Sequence, residues 1–255
     1  MKKYSLAEFQ EKIIRTEDYN MGNEHKRVEV FEQLRGGLIV SCQALEEEPL
    51  HSSYIMSRMA YAAKEGGARG IRANTPEDIV EIKKAVDLPI IGLYKQIFED
   101  SEVYITPTLE AVDSLMEVQP EIIAMDATKR RRPGNITLDT FFAQVRKKYP
   151  RMLFMADCSC IEDAIYAQAL GFNLVGTTLA GYTRETKGRQ LPDFDLMREL
   201  VECLTIPVIA EGGIWTPEDL KQALECKVLA AVVGTAITRP REITKRFVSL
   251  ITGKN

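Results

Sequence analysis

The sequence predicts an α/β fold in which eight parallel strands alternate with helices. Eight short runs of apolar and β-branched residues are separated by stretches of helical periodicity. Because these runs are near-continuously apolar, they are typical of strands buried on both faces of a parallel sheet. Eight such strands close into a barrel, and the length of 255 residues matches the ~250 that one barrel needs. The prediction is a single (β/α)8 TIM barrel with a short N-terminal helical extension.

The individual elements follow from the same two patterns. Strands are predicted at residues 38–43, 70–73, 89–95, 121–128, 153–158, 174–179, 207–213 and 230–238. Helices are predicted between them, at residues 53–65, 75–86, 108–118, 137–149, 161–170, 195–204 and 217–225. A further helix start lies at residues 239–242, and Pro76 and Pro217 stand where a first helical turn tolerates proline.

The first residues of the chain lie outside this repeat. Ser5 and Glu8 form a capping box, and apolar residues at helical spacing follow, so a short amphipathic helix is expected. Residues 16–26 are polar and predict a connector, and a second helix at residues 28–34 is expected to cover the bottom of the barrel. The predicted division is residues 1–27 for the extension and connector and residues 28–255 for the barrel.

Composition restricts the class of partner. With 45% hydrophobic residues, 27% charged residues and a net charge of -4, the chain has no electrostatic case for binding nucleic acid or an anionic membrane. The basic run at residues 129–132 is expected to be a solvated or ligand-facing loop. No signal peptide or membrane span is expected. Five cysteines, an odd number, indicate reduced thiols and a cytoplasmic protein, and Cys158 and Cys160 are read as small residues closing a strand.

Polar side chains at the ends of the predicted strands are the candidates for chemistry, because barrel active sites lie at the carboxyl ends of the strands. No histidine is found among them, so a mechanism without a metal or another cofactor is expected. The candidates are Gln43, Arg72, Lys95, Asp126, Asp157, Thr177, Thr178, Glu211, Thr238 and Arg239.

Lys95 and Glu211 are the predicted acid–base groups. An ammonium at the mouth of an apolar barrel has its pKa lowered by desolvation, which makes Lys95 a usable base; the alternative is a surface lysine in a loop. Glu211 is either a general acid or a carboxylate paired with Lys95 or Arg72. Arg72 and Arg239 suit anion recognition, although either could instead form a structural salt bridge.

Two glycine-bearing turns near the C-terminus predict a phosphate site. The runs at residues 208–214 and 229–237 each stop at glycine and are followed by a helix start. Glycine lets the main chain approach a ligand closely, and a helix N-terminus presents unpaired N–H groups to an anion. The candidate phosphate-binding residues are Gly212, Gly213, Gly234 and Thr235.

Taken together and in order, the strand-end motifs resemble the N-acetylmannosamine-6-phosphate 2-epimerase family. The resemblance covers about residues 28–250. The motifs are residues 36–44, 70–74, 89–95, 103–108, 125–128, 156–157, 175–183, 210–212 and 233–240. Departures from the family pattern are Gln96, Gly213 and the pair Cys226 and Lys227.

The resemblance implies a barrel that interconverts N-acetylmannosamine 6-phosphate and N-acetylglucosamine 6-phosphate, a step in sialic acid breakdown. It also implies a homodimer that acts on a small phosphosugar. Lys95 and Glu211 match the catalytic pair, and the glycines after the last two strands match the phosphate site. The positions that match substrate-binding residues are Gln43, Arg72, Asp157 and Arg239.

The implied chemistry needs a proton to leave C2 next to an aldehyde and to return to the opposite face of a planar enolate. Lys95 and Glu211 could do this from strands across the barrel, with Arg72 and Gln43 on the oxygens. Whether one group or two handle the proton is open. Two other classes remain: a Schiff-base aldolase with Lys95 as nucleophile, and a phosphosugar sensor without activity. A pentose-phosphate epimerase would need metal ligands that the strand ends do not offer.

Overall fold

The computed structural model describes residues 27–253 and contains a closed barrel of eight parallel strands. Each strand pairs with the next along the chain, and β1 pairs with β8 to close the ring. The predicted (β/α)8 TIM barrel is confirmed. The strands are β1 (Leu38–Cys42), β2 (Gly70–Asn74), β3 (Ile90–Leu93), β4 (Ile122–Asp126), β5 (Leu153–Asp157), β6 (Leu174–Gly176), β7 (Val208–Glu211) and β8 (Ala230–Val233).

Helices follow the strands around the outside of the barrel. Residues 27–34 are helical and are called α1. The later helices are α2 (Ser53–Glu65), α3 (Pro76–Ala85), α4 (Leu109–Val118), α5 (Leu138–Lys148), α6 (Ile161–Leu170), α7 (Phe194–Cys203), α8 (Pro217–Glu225), α9 (Thr235–Thr238) and α10 (Pro240–Thr252). The prediction that a strand continues to residue 238 is wrong, because the chain turns at Gly234 and residues 235–238 form the short helix α9.

Local sequence sets where several helices begin. Thr108, Thr137 and Thr216 are N-caps whose side chains accept a hydrogen bond from the main-chain N–H three residues further on. Thr216 and Asp219 complete a capping box, which fixes the first turn of α8 directly after the β7 turn. These caps fix the point at which the loops after β3, β4 and β7 end and the next helix begins.

The core has two layers. One lies inside the barrel and includes Ile39, Ile91 and Ile209, whereas the other lies between the sheet and the helices and includes Val40 and Ile71. Neighbouring residues of one strand point to opposite layers, as the strand period of two requires. Because both faces of the strands are buried, the strands are mainly apolar, and their polar side chains stand toward the carboxyl ends.

Helix α1 closes the amino-terminal end of the barrel. Val30, Phe31 and Leu34 belong to the inner core layer. A Cβ at Gly70 would lie 2.6 Å from Leu34 Cδ2, so glycine at the start of β2 leaves room for this helix. The predicted covering helix is therefore present, whereas the helix predicted from Ser5 onward lies outside the described residues. Among the residues described, none of the helices is long and apolar enough to cross a membrane.

The basic run at residues 129–132 differs from expectation. Arg132 is almost fully buried, lies 3.9 Å from the centre of the Phe141 ring, and donates to the carbonyl oxygens of Thr106 and Pro107 at 3.0 and 3.1 Å. Burial lowers the pKa of Arg132 to about 10. The expectation of a solvated or ligand-facing run is wrong for this residue, because its planar guanidinium ties the loop after β4 to the loop after β3.

Candidate active site

A cavity of about 230 Å³ opens at the carboxyl ends of the strands. Lys95 follows β3 and Glu211 ends β7, so the two side chains reach this cavity from opposite sides of an eight-stranded ring. The other candidate residues that line it are Gln43, Thr178, Gly212, Gly213, Gly234, Thr235, Thr238 and Arg239. Tyr182, Ile214 and Trp215 complete the wall near the β7 turn.

Arg72 and Asp157 form a buried ion pair beside the cavity. Arg72 Nη2 lies 2.6 Å from Asp157 Oδ2, and Nη1 lies 3.2 Å from Oδ1, which is a bidentate arrangement. Arg72 is 1% exposed and Asp157 is fully buried. Burial by itself would lower the pKa of Arg72, but the charges of Asp157 and Glu211 outweigh it and raise that pKa. Arg72 is therefore held in its charged form.

Glu211 is joined to this pair. Its Oε2 lies 3.3 Å from Arg72 Nη1 and 3.1 Å from Thr178 Oγ1. Burial raises the pKa of Glu211, and the neighbouring charge of Asp157 adds to that effect, whereas Arg72 opposes it. The carboxyl group is suited to holding a proton nearer to neutral pH than an ordinary glutamate can.

Lys95 is half-buried at the start of the loop between β3 and α4. Its main-chain N–H donates to Asn74 Oδ1 at 2.8 Å, and its residue pairs with Ile105 in an antiparallel bridge. Burial lowers the pKa of the Lys95 ammonium to about 8, with help from the charges of Arg72 and Arg239. A freely solvated surface lysine would have none of these features. A substantial neutral fraction is available near neutral pH.

Gln43 presents an acceptor to the cavity. Its Nε2 donates to Ser41 Oγ at 2.9 Å, and its side chain is 6% exposed. Gln43 Oε1 is buried and has no hydrogen-bond partner among the residues that the structure describes. A buried acceptor without a partner fits a ligand that brings an N–H or O–H donor.

The two glycine turns form the part of the cavity wall that follows β7 and β8. Gly212 and Gly213 have φ values of 106° and 72°, in the left-handed region that favours glycine. Strand β7 therefore ends at Glu211, two residues before the predicted end at residue 213. A Cβ at Gly213 would lie 2.4 Å from Leu191 Cβ, so the loop after β6 packs directly on this turn. Gly234 precedes α9, where Thr235 is the first residue.

Arg239 is held at the rim by a carboxylate that the sequence did not reveal. Its Nη2 lies 3.1 Å from Glu48 Oε2, and Arg241 Nη2 lies 3.4 Å from Oε1 of the same residue. Glu48 also accepts from the main-chain N–H of Leu45 at 2.9 Å. Nothing in the run of three glutamates at residues 46–48 distinguishes Glu48, since its partners are close only in the folded chain.

The remaining strand-end candidates have mainly structural contacts. Asp126 accepts from Thr128 and from Arg130 at 2.5 Å, and Thr177 Oγ1 bonds to the main chain of Glu211. Thr238 Oγ1 lines the cavity but donates to the carbonyl oxygen of Ser41 at 2.7 Å. Within residues 27–253 no group of three or more His, Cys, Asp or Glu side chains could hold a metal ion. Independence from metals stays a prediction.

Fold and site together define a class of protein: a (β/α)8 barrel enzyme with an amine and a carboxyl group facing each other across the mouth. Comparison with known proteins narrows this class. Residues 56–253 match the sequence profile of the NanE family, described as "Putative N-acetylmannosamine-6-phosphate epimerase". The chain belongs to the N-acetylmannosamine-6-phosphate 2-epimerase family.

Curated relatives agree over nearly the whole chain. A protein from Caldanaerobacter subterraneus subsp. tengcongensis is 52% identical over 88% of this chain and 95% of its own length. One from Enterobacter sp. strain 638 is 54% identical over 87% of this chain and 95% of its own length. Both carry the name "Putative N-acetylmannosamine-6-phosphate 2-epimerase".

Solved structures agree with the fold. The N-acetylmannosamine-6-phosphate 2-epimerase from Clostridium perfringens superposes with a TM-score of 0.82 at 52% identity and covers 86% of this chain and 95% of its own. Thiamine phosphate pyrophosphorylase from Pyrococcus furiosus, at 16% identity and a TM-score of 0.55, covers 85% of this chain and 98% of its own. The second likeness concerns the fold alone.

Proposed function

We propose that this protein interconverts N-acetylmannosamine 6-phosphate and N-acetylglucosamine 6-phosphate by inverting C2. The observation that carries the proposal is the position of Lys95 and Glu211, on opposite sides of one cavity, in a chain of this family. Inversion needs a base on one face of the reacting carbon and a proton donor on the other, and strands β3 and β7 supply groups from opposite directions.

In the proposed reaction the neutral amine of Lys95 takes the C2 proton of the open-chain aldehyde. The electron pair of the C–H bond moves into the C1–C2 bond, and the carbonyl electrons move to O1, which gives an enolate and a Lys95 ammonium. The carboxylic acid of Glu211 then gives its proton to the other face of C2. The two groups together hold one proton before and after the reaction, so proton exchange between them or with water restores the starting state.

The charges around the cavity support this sequence of steps. The buried guanidinium of Arg72 and the newly formed ammonium of Lys95 favour the negative charge of the enolate, because preorganised charges act strongly where water is excluded. Arg72 is 1% exposed and is paired with Asp157 through two hydrogen bonds, so we assign it an electrostatic role beside Glu211 instead of a direct contact with the sugar. Gln43 Oε1 is free to accept from a donor of the substrate.

We assign the phosphate to the wall made by the glycine turns. Gly212, Gly213 and Gly234 allow the main chain to come close, Thr235 begins a helical turn, and Arg239 brings a positive charge that Glu48 holds in place. Phosphate binding at this wall would orient the sugar without any contact to the reacting carbon. Asp157 is fully buried and paired with Arg72, so we assign it to holding that guanidinium in place.

The test is conversion of N-acetylmannosamine 6-phosphate by purified protein, followed by proton NMR. We expect the signals of N-acetylglucosamine 6-phosphate to appear until equilibrium, and the same rate after dialysis against a strong chelator. Absence of product would overturn the proposal, and a loss of activity restored by a divalent ion would overturn its metal-independent mechanism.

One competing function has a specific observation behind it. An amine with a pKa of about 8 is also a good nucleophile, so Lys95 could form a Schiff base as in an aldolase. Borohydride reduction in the presence of the sugar phosphate would then leave a covalent adduct on Lys95. We expect no adduct. Binding of the sugar with neither turnover nor adduct would favour a sensor without activity.

We also propose that the protein is a homodimer and that α10 contributes to the interface. This helix of 13 residues has no buried residue, and its Phe247, Leu250 and Ile251 are 69%, 84% and 85% exposed. A second copy is the simplest cover for such a surface. Leu250→Glu should lower the mass measured by sedimentation, whereas Thr244→Glu, at an exposed polar position of the same helix, should not.

The cellular setting is part of the proposal. The five cysteines are free thiols, and three of them are buried, which suits a reducing cytoplasm. We place the reaction in sialic acid breakdown, where the mannosamine derivative must be converted before further use. Growth of a deletion strain on sialic acid would test the placement; unaffected growth would contradict it.

A further inference from the structure

The hydroxyl group of Thr178 lies between two carboxylates. Its Oγ1 is 2.6 Å from Asp157 Oδ1 and 3.1 Å from Glu211 Oε2. Thr178 follows β6 and also lines the cavity. A hydroxyl group has a single proton to donate, so it can satisfy only one of these two oxygens at a time.

Arg72 meets the same two oxygens from the other side. Its Nη1 lies 3.2 Å from Asp157 Oδ1 and 3.3 Å from Glu211 Oε2. Asp157 keeps a second, shorter bond from Nη2 at 2.6 Å, whereas Glu211 has no such bond. Asp157 therefore keeps two hydrogen bonds from Arg72 with or without Thr178, whereas the carboxylate form of Glu211 depends more on the shared donors.

The groups that face Glu211 come from four parts of the barrel. They are Arg72 on β2, Lys95 after β3, Asp157 on β5 and Thr178 after β6. Asp157 raises the pKa of Glu211, whereas Arg72, Thr178 and Lys95 lower it. Of these, Thr178 alone can change its partner by rotation of one bond while all charges stay in place.

We infer that Thr178 is a positioning residue for the proposed reaction, whose hydroxyl turns from Asp157 to Glu211 when Glu211 gives its proton to the substrate. The inference rests on the proposed function. When Glu211 is protonated, Thr178 donates to Asp157, as the shorter distance in the structure indicates. Once Glu211 has lost its proton, the hydroxyl stabilises the new carboxylate at Oε2, and no proton leaves Thr178 in either state.

The test is the pH profile of kcat/KM for Thr178→Val, with Thr178→Ser as the conservative variant. Valine keeps the shape and removes the donor, so the carboxylate form of Glu211 becomes less stable and its pKa rises. The acid limb of the profile, where Glu211 takes up its proton, should move to higher pH by about one unit. Thr178→Ser should restore the limb of the unmodified protein.

Thr177→Val is the matched control, because the Thr177 hydroxyl bonds to the main chain of Glu211 and not to its carboxylate. We expect a lower Tm for this control and an acid limb in its original place. An unmoved limb in Thr178→Val, or a loss of activity equal at every pH, would overturn the inference. Should valine unfold the protein, Thr178→Ala provides the same comparison. Failure of the proposed function would be seen separately, as an unmodified protein that does not convert the sugar.

Discussion

The two walls of the cavity differ in composition: one is formed by charged side chains and the other by the main chain of two glycine turns. On the wall that carries Arg72, Asp157 and Glu211, side chains on β2, β5 and β7 form a chain of buried charges with separations of 2.6 to 3.3 Å. On the wall formed by Gly212, Gly213 and the turn at Gly234, the main chain itself faces the cavity, and Arg239 adds a positive charge at the rim.

The two walls therefore suit different tasks: one suits proton transfer and the other suits binding of the phosphate. Proton transfer needs groups with shifted pKa values, and burial close to other charged groups shifts them. A phosphate is already charged at neutral pH and needs only close donors, which glycine turns provide with little burial of charge. We call the wall with Arg72, Asp157 and Glu211 the charged wall and the wall with the two glycine turns the glycine wall. Substitutions on the charged wall should therefore change kcat, whereas substitutions on the glycine wall should change KM.

The largest effect is expected for Lys95→Met. Methionine keeps the length of the side chain and removes the base, so kcat should fall by roughly 10²-fold to 10⁴-fold or more. Ligand binding, measured by calorimetry with the sugar phosphate, should change little because the glycine wall is intact. Glu211→Gln should also reduce turnover strongly. Near-normal turnover in Lys95→Met would show that β3 is not the catalytic strand.

The second prediction concerns the substrate: N-acetylmannosamine without its phosphate is compared with N-acetylmannosamine 6-phosphate on the unmodified protein. N-acetylmannosamine should react with kcat/KM about 10²-fold lower or worse, since two charge-assisted hydrogen bonds contribute about 3 kcal/mol. The measurement is the same NMR assay with both sugars at several concentrations. Equal kcat/KM values would mean that the glycine wall does not hold the phosphate.

The pH profile tests how the charged wall shares its proton. If Lys95 and Glu211 act together, the active pair holds one proton, so kcat/KM should fall about tenfold per unit above the Lys95 pKa of about 8, where the pair loses that proton. If Lys95 acts alone, only its neutral form is needed, and kcat/KM should instead rise through this pH and level off. We expect the fall.

The smallest effect is expected at the rim. Glu48→Gln removes one charge that orients Arg239, so KM should rise about 2-fold to 5-fold with kcat nearly unchanged, because partly exposed ion pairs contribute about 1 kcal/mol or less. Glu47→Gln, an exposed neighbour, is the matched control and should behave like the unmodified protein. A fall in kcat without a rise in KM would contradict the division between the two walls.

The sequence was sufficient for the barrel and for most of the polar residues that line the cavity. Apolar strands such as Ile122–Asp126 and helix starts such as Pro217 have local patterns that can be read one element at a time. The end of the last strand was misjudged, because the apolar run continues through α9 while Gly234 turns the chain.

The ion pair at the rim of the cavity could not be read from the sequence because it joins distant segments. Glu48 and Arg239 are 191 positions apart in the numbering, yet they form an ion pair in the fold. Arg132 belongs to a basic run whose composition is typical of a solvated loop. Only the tertiary structure shows that this residue is buried against Phe141. Charged residues carry little periodicity, so their partners emerge only when the barrel closes.

The central claim is that Lys95 and Glu211 serve opposite faces of C2, and the most direct test is a single turnover in D₂O. Excess protein is mixed with protiated N-acetylmannosamine 6-phosphate, and the product is analysed by NMR for the isotope at C2. The two-group account predicts deuterium at C2 of every product molecule, because the proton delivered by Glu211 comes from solvent. Product that keeps a measurable share of the original protium would contradict the account and show that one group removes and returns the proton.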